Sequence, residues 1–312
     1  MEPTLLVITG PTGIGKTALS IGVARHFGTV ILSADSRQMY REMVIGTARP
    51  TPGQLLAVPH YFIGNLSVRD YYNASRYETE VLSLLGELFR RHAVVVMTGG
   101  SMLYIDAVRK GIDDLPTVDP AIRGRLLKQF GEEGLESIQR ALLEKDPVYY
   151  HRVDLKNHMR ILHALEICLM TGEPYSSLLT RTTRKRDFRI LTWCLDMERA
   201  ELYSRINRRV DLMVEHGLEE EARRLYPQRH LPALQTVGYR EWFTLFEGKG
   251  TREAVIEEIK SHTRQYARKQ LTWFRRDPSV RRFDMAREEE FLPTVEKELT
   301  TWGEDYGSSL PV

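Results

Sequence analysis

Gly10-Pro11-Thr12-Gly13-Ile14-Gly15-Lys16-Thr17 combines the residue types that hold phosphate. The glycines let the main chain close around an anion, and amides at a helix start point toward it. Lys16 supplies a cation and Thr17 a hydroxyl suited to Mg²⁺. An apolar run at residues 5–8 precedes the stretch and an apolar helical pattern at 18–23 follows it. That setting makes it a P-loop at a strand-to-helix turn rather than mere punctuation.

A second group follows the next apolar run, in Ser33-Ala34-Asp35-Ser36-Arg37-Gln38-Met39-Tyr40. Ligands in open α/β sheets sit at the carboxyl ends of strands, so Asp35 is expected near the phosphates, placed to take a proton from a nucleophile. Capping of the next segment is a compatible second role for the same carboxylate. The run at 94–98 ends in Gly99-Gly100-Ser101, where a hydrolytic P-loop ATPase carries an acid. This argues against a machine that activates water and for an enzyme that holds one substrate's phosphates while a second substrate attacks. The Ser101 hydroxyl is a candidate donor to those phosphates.

Arg209 falls at the edge of a helical apolar sector formed by Leu202, Ile206, Val210 and Met213, with Arg205 one turn earlier. It is placed either to reach water or to bring a fixed cation to a phosphate site. Between 256 and 276, Arg264, Arg268 and Arg275 share one helical sector while Tyr266 and Trp273 share the opposite one. The arginines suit phosphate oxygens and the aromatics suit packing inward. A further basic group comprises Arg181, Arg184, Lys185, Arg186 and Arg189.

The elements that must position these residues follow from patterning. Runs at 5–9, 30–34 and 93–98 read as buried parallel strands separated by helices. After Gly111 the pattern is helical only, punctuated by Asp119-Pro120, Asp146-Pro147 and Gly172-Glu173-Pro174, until a strand resumes at 188–195. The expected fold class is therefore α/β, a P-loop NTPase-like core with a parallel sheet flanked by helices, plus an all-helical insertion. The core is placed at 1–113 and 186–312, and the insertion at 114–185. The tail after Asp277 carries no readable signal.

At 312 residues the chain is long enough for such a core and insertion. The net charge of +2 does not announce a nucleic-acid binder, so only the distribution of basic residues speaks to one. No apolar run approaches a membrane span, and the N-terminus lacks the order of a signal peptide. Cys168 and Cys194, each flanked by apolar residues, read as packed thiols in a reducing compartment. A cytoplasmic location is expected.

The ordered motifs resemble the tRNA isopentenyltransferase (IPP transferase) family over about nine tenths of the chain. They include the P-loop, Asp-Ser-x-Gln-x-Tyr at 35–40, Gly-Thr-Ala-Arg-Pro at 46–50, Pro59-His60 and Gly-Gly-Ser-x-Leu-Tyr at 99–104. They continue with Ala164-Leu165-Glu166, Arg205-Ile206-Asn207-Arg208-Arg209-Val210, Gln235-Thr236-Val237-Gly238-Tyr239 and Thr263-Arg264-Gln265-Tyr266-Ala267-Arg268-Lys269-Gln270. The resemblance implies that residues 10–17 hold dimethylallyl diphosphate, with Mg²⁺ at Thr17. It implies that the acceptor is N6 of adenosine 37 in the anticodon stem-loop of tRNA, flipped from its stack. It places Asp35 as the group that takes the N6 proton, and Ser101 and Arg209 on the diphosphate. Asp35, Ser36, Arg37, Gln38 and Ser101 would meet the RNA, as would Arg123, Met159, Arg160, Ile161, Leu162 and His163. Arg264 and Arg268 would join them through phosphate contacts. A monomer with no membrane partner is expected. Three positions depart from the family pattern: Gly13-Ile14 stands for Ala-Ser, Ser101 for threonine, and His163 for arginine.

Overall fold

A computed structural model describes residues 2–113, 115–116, 118–179 and 183–307, with side chains through residue 300. The strands are β1 (Thr4–Thr9), β2 (Ile31–Ser33), β3 (His60–Tyr61), β4 (Val94–Gly99), β5 (Arg189–Asp196) and β6 (Arg281–Asp284). They form one sheet in the order β3-β2-β4-β1-β5-β6, and every pairing is parallel. The sheet is flanked by helices, as expected for a P-loop α/β core.

Burial on both faces explains the nearly continuous apolar strands. In β1, Leu5 and Val7 join one core cluster while Leu6 and Ile8 join another, following the two-residue side-chain alternation of a strand. The first cluster is closed by the helices Ala74–Leu88 and Arg252–Arg275 through Tyr77, Val81, Ile259 and Phe274. The second is closed by Lys16–His26 and Phe291–Gly307 through Leu19, Val23, Phe291 and Val295.

Two edge elements escape the sequence patterning. β3 has two residues, too few to show a period, and β6 reads Arg-Arg-Phe-Asp with only Phe283 buried. The tail that carried no readable signal thus adds β6 beside β5 and a closing helix.

The chain divides into two compact units, 1–109 with 186–312, and 110–185. In the second unit the helices Pro120–Glu133, Leu135–Lys145 and His158–Thr171 enclose Leu126, Ile138, Leu142 and Leu165. The Asp-Pro pairs mark helix starts: Asp119 accepts a hydrogen bond from the Ala121 amide and Asp146 one from Tyr149, each followed by proline at the first helical position. Cys168 and Cys194 are both buried and free. Among the described residues no helix is long and apolar enough to cross a membrane.

Candidate active site

The carboxyl ends of three neighbouring strands supply the site. β1 runs into the P-loop, β2 into Asp35, and β4 into Gly99-Gly100-Ser101. Gly15, with φ of 108°, turns the chain into the helix Lys16–His26, a left-handed conformation that glycine adopts without steric cost. The missing acid at the end of β4 has a steric reason. A Cβ on Gly99 would lie 2.2 Å from the Ala34 carbonyl oxygen, because the chain leaving β2 crosses directly against it. Ala34 donates its amide to Thr98 O at 2.7 Å and accepts from the Ser101 amide at 3.1 Å. No side chain fits at that crossing.

The same crossing aims Asp35. Its Oδ1 accepts the backbone amides of Arg37 at 2.9 Å and Gln38 at 3.3 Å, so the capping role holds, although for a turn rather than a helix. Among the described residues Oδ2 accepts no hydrogen bond, and Asp35 lines two adjoining cavities. One, of about 320 Å³, lies over Gly13, Gly15, Lys16 and Thr17 and includes Gly100. The other, of about 220 Å³, is walled by Ile206, Val210, Met213, Val237 and Ile259. Asp35, Thr12, Arg209 and Tyr266 border both. A compartment over the P-loop and a second one with an apolar wall, although polar groups such as Ser36, Arg37 and Thr263 also line it, therefore meet at one carboxylate.

Two cations serve the compartment over the P-loop. Lys16 Nζ donates to the Gly10 and Pro11 carbonyls at 3.0 and 2.8 Å, which folds it along the loop. Burial, and then the positive charge of Arg209, push its pKa down to about 8, while Asp35 pulls the other way. Arg209 is half-buried, and among the described residues no carboxylate lies within 4.0 Å of its guanidinium. Burial lowers its pKa and the Asp35 charge opposes that shift. A partly buried guanidinium without a protein counter-ion is a ready anion site. Arg205, which also lines this cavity, donates to the Ile14 carbonyl at 3.2 Å and so supports the loop.

Ser101 is buried and its hydroxyl is spoken for: Oγ accepts the Ser36 amide at 2.8 Å and donates to Ser36 Oγ at 3.1 Å. In this state it braces the Asp35 turn. Arg37 donates to the carbonyls of Pro232 and Ala233, and Gln38 Nε2 to those of Thr47 and Ala48. Both side chains thus tie the turn to neighbouring loops.

The helix Arg252–Arg275 departs from its sequence reading. Its buried face is Val255, Ile259, Ala267, Gln270 and Phe274, while Tyr266 and Trp273 are exposed by 36% and 39%. Tyr266, expected in the core, faces both cavities, and its hydroxyl donates to Gly100 O at 3.3 Å. Although part of the ring is exposed, its hydroxyl is tucked against Gly100, and burial there, followed by the Asp35 charge, pushes its phenol up to about 12. Gln270, whose sequence context gives it no chemical role of its own, joins two parts of the site. Its Oε1 accepts the Thr12 amide at 2.9 Å and its Nε2 donates to Gly100 O at 2.8 Å. The available signal was a polar residue on the otherwise apolar sector of a helix. Arg264 donates to Asn207 Oδ1 at 2.6 Å and Arg275 pairs with Asp196, whereas Arg268 is exposed.

In the insertion unit, Ile161 and Leu162 are corrected from RNA-facing to core. They are 0% and 2% exposed, since the apolar sector of the helix His158–Thr171 passes through them. Met159 and Arg160, on the other side, are exposed. Arg123 forms a two-pronged pair with the buried Glu166 at 2.6 and 2.8 Å. His163 Nδ1 stands 3.6 Å from the same carboxylate, which is held below its usual range by His163 and Arg123 against the opposing effect of burial. In the other basic group, Arg186 pairs with buried Glu78 and binds the carbonyls of Ala107 and Val108, so it is structural. Arg181 lies outside the described residues.

A family model described as IPP transferase matches residues 38–277. The chain belongs to the IPP transferase family. It is 54% identical over 280 residues to tRNA dimethylallyltransferase 1 of Phocaeicola vulgatus, covering 90% of this chain and 93% of that one. It is 55% identical over 277 residues to tRNA dimethylallyltransferase 2 of Parabacteroides distasonis, covering 89% and 93%. Its fold is similar to the crystal structure of the full-length tRNA isopentenylpyrophosphate transferase of Bacillus halodurans, with a TM-score of 0.71 and 32% identity over 98% of this chain and 100% of that one. A eukaryotic dimethylallyltransferase acting on tRNA shares the fold with a TM-score of 0.76 at 23% identity, over 99% of this chain and 80% of that one. The IPP transferase family is thus shown by sequence and by structure together, and its members named here are transferases.

Proposed function

We propose that this enzyme transfers the dimethylallyl group of dimethylallyl diphosphate to N6 of adenosine 37 in tRNA. The observation that carries the reading is Asp35 at the wall common to both cavities, with Oδ2 accepting no hydrogen bond among the described residues. The N6 lone pair attacks C1 of the prenyl group, and the C1–O bond breaks with its electron pair leaving on diphosphate. The N6 proton passes to Asp35. Adenine N6 is a weak nucleophile because its lone pair is delocalised, so orientation, proton removal and stabilisation of the leaving diphosphate carry the catalysis.

Lys16, Arg209 and the loop amides meet the growing negative charge. Thr17, which lines the phosphate cavity, would hold Mg²⁺ together with donor oxygens; a bound Mg²⁺ neutralises part of the diphosphate charge. Among the described residues no cluster of three His, Cys, Asp or Glu side chains offers a complete metal cage, which suits an ion held mainly by its substrate. Exposed Met159, Arg160 and Arg268, with the half-buried Arg264, are the surfaces offered to RNA. Ser36 and Gln38, beside Asp35, are the groups nearest an extruded base.

The direct test is incubation with dimethylallyl diphosphate and unmodified tRNA, followed by nucleoside mass analysis. N6-dimethylallyladenosine at position 37, with matching diphosphate release, is expected. Phosphate transfer from ATP to a small molecule without any prenylated nucleoside would refute the reading.

Lys16 adds a pH signature. Its pKa near 8 leaves it mostly charged at pH 7 and mostly neutral at pH 9, and the diphosphate prefers the charged form. Donor binding should therefore take up a proton above pH 8, and its dissociation constant should rise about tenfold from pH 7 to pH 9. Calorimetry in buffers of different ionisation enthalpy measures both effects. Lys16→Arg should flatten the profile; an unchanged profile in that variant would assign the titration elsewhere.

A further inference from the structure

Residues 44–46 belong to no helix or strand, yet Gly46 and Thr47 form part of the apolar cavity wall and Ala48 part of the phosphate cavity wall. A segment so placed needs an outside anchor. It finds one in Glu221, on the short helix Leu218–Leu225, a residue far away in sequence and 2% exposed. Glu221 Oε2 accepts the Val44 amide at 3.1 Å and the Ile45 amide at 2.9 Å. Its Oε1 accepts the Ile45 and Gly46 amides, each at 3.0 Å, and the Tyr239 hydroxyl at 2.7 Å. Among the described residues no cation lies within ion-pair distance, so the charge is met by main-chain donors and one phenol. Hydrogen bonds to an ionised acceptor are about twice as strong as neutral ones, and this carboxylate gathers four donors.

Tyr239 completes the arrangement. It is fully buried, and burial together with Glu221 raises its pKa, which keeps the phenol a donor. The hydroxyl end of its ring is close against Gly46: an added Cβ there would stand 2.6 Å from two ring carbons and 2.7 Å from the phenol oxygen. Gly238, the residue before it, lines the apolar cavity. The segments 46–50 and 235–239, which supply two sequence motifs without an evident chemical role, therefore meet at one carboxylate and form adjoining walls of the site.

We propose that Glu221, acting with Tyr239, is a positioning residue for prenyl transfer, holding the main chain of residues 44–46 so that Gly46 and Thr47 stand as a fixed part of the wall of the cavity into which Asp35 opens. The inference rests on the transferase function proposed above. Loss of the anchor leaves the phosphate compartment in place and loosens the wall against which the prenyl group and the acceptor base are aligned. Small misalignments at a reacting centre cost rate more than they cost affinity.

The test uses the full-length protein, dimethylallyl diphosphate and an anticodon stem-loop RNA. Single-turnover rates are measured at saturating substrates well below the melting temperature, with donor affinity determined separately. Glu221→Gln keeps the volume but turns an NH₂ group toward backbone N–H donors. It should lower the single-turnover rate about tenfold while donor affinity stays within about threefold. Tyr239→Phe keeps the ring, removes one donor, and should lower the rate about threefold, which keeps the test decisive if Glu221→Gln does not fold. A lowered melting temperature with rates within about twofold of the unmodified protein would make Glu221 a fold residue only and overturn the inference. A loss confined to donor affinity would overturn it as well. Absence of prenylated RNA with the unmodified protein would overturn the transferase function and this inference with it.

Discussion

Asp35→Asn should lower the single-turnover rate of prenyl transfer by about a hundredfold or more while leaving donor and RNA affinities within a few-fold. The substitution is chosen because the two carboxylate oxygens do different work. Oδ1 organises the turn by accepting the Arg37 and Gln38 amides, and asparagine retains that acceptor. Oδ2 is the oxygen left for the proton of N6, and an amide nitrogen there cannot receive it. A variant that binds both substrates normally and does not turn over is the signature of a lost base. Near-normal turnover in Asp35→Asn would remove Asp35 from that role.

Arg209→Ala should lower the rate by about two to three orders of magnitude, equivalent to about 3–4 kcal/mol of lost stabilisation of the departing diphosphate. The structure adds a second, opposite expectation for stability. Because Arg209 is half-buried with no carboxylate within 4.0 Å among the described residues, the apo protein gains little from its charge. Its melting temperature should stay level or rise in Arg209→Ala. Arg209→Lys should recover part of the rate, since an ammonium restores charge but not the two-pronged donor geometry. A clear fall in apo melting temperature together with near-normal turnover would show a packing residue instead.

Local sequence patterns specify much of this molecule. The P-loop shows itself because its demands are short-range: glycine at the turn into the helix and a cation and hydroxyl directly after it. β1, β2, β4 and β5 show themselves because burial on both faces makes them largely apolar runs. Asp35 could be picked out because strand ends and ligands coincide in this fold class. The edge strands could not be picked out, because β3 is two residues long and β6 buries one side chain.

The helix Arg252–Arg275 shows where a one-dimensional pattern misleads. Arginines and aromatics on opposite sectors suggest a wet face and a dry face, yet Tyr266 belongs to the site and Trp273 donates to Asp106 at 2.7 Å on an exposed face. Aromatic side chains also pack against cavities, and periodicity cannot tell a cavity from a core. Ile161 and Leu162 illustrate the same limit from the other side. A stretch expected to meet RNA alternates between exposed Met159 and Arg160 and a buried pair, since a helix turns its residues around an axis.

Residue order alone was sufficient for the fold class, the phosphate loop, the carboxylate at the neighbouring strand end and the family resemblance, all of which rest on neighbours within about ten residues or on ordered motifs. Tertiary structure decided that Gly99 excludes any side chain because Ala34 crosses it, and that Gln270 ties Thr12 to Gly100. It also decided that Glu221 gathers the amides of 44–46 beneath Tyr239, and that Arg209 stands without a counter-ion among the described residues. These arrangements join residues far apart in the chain. Their partners are selected by packing, which acts only once the sheet has brought its strand ends together.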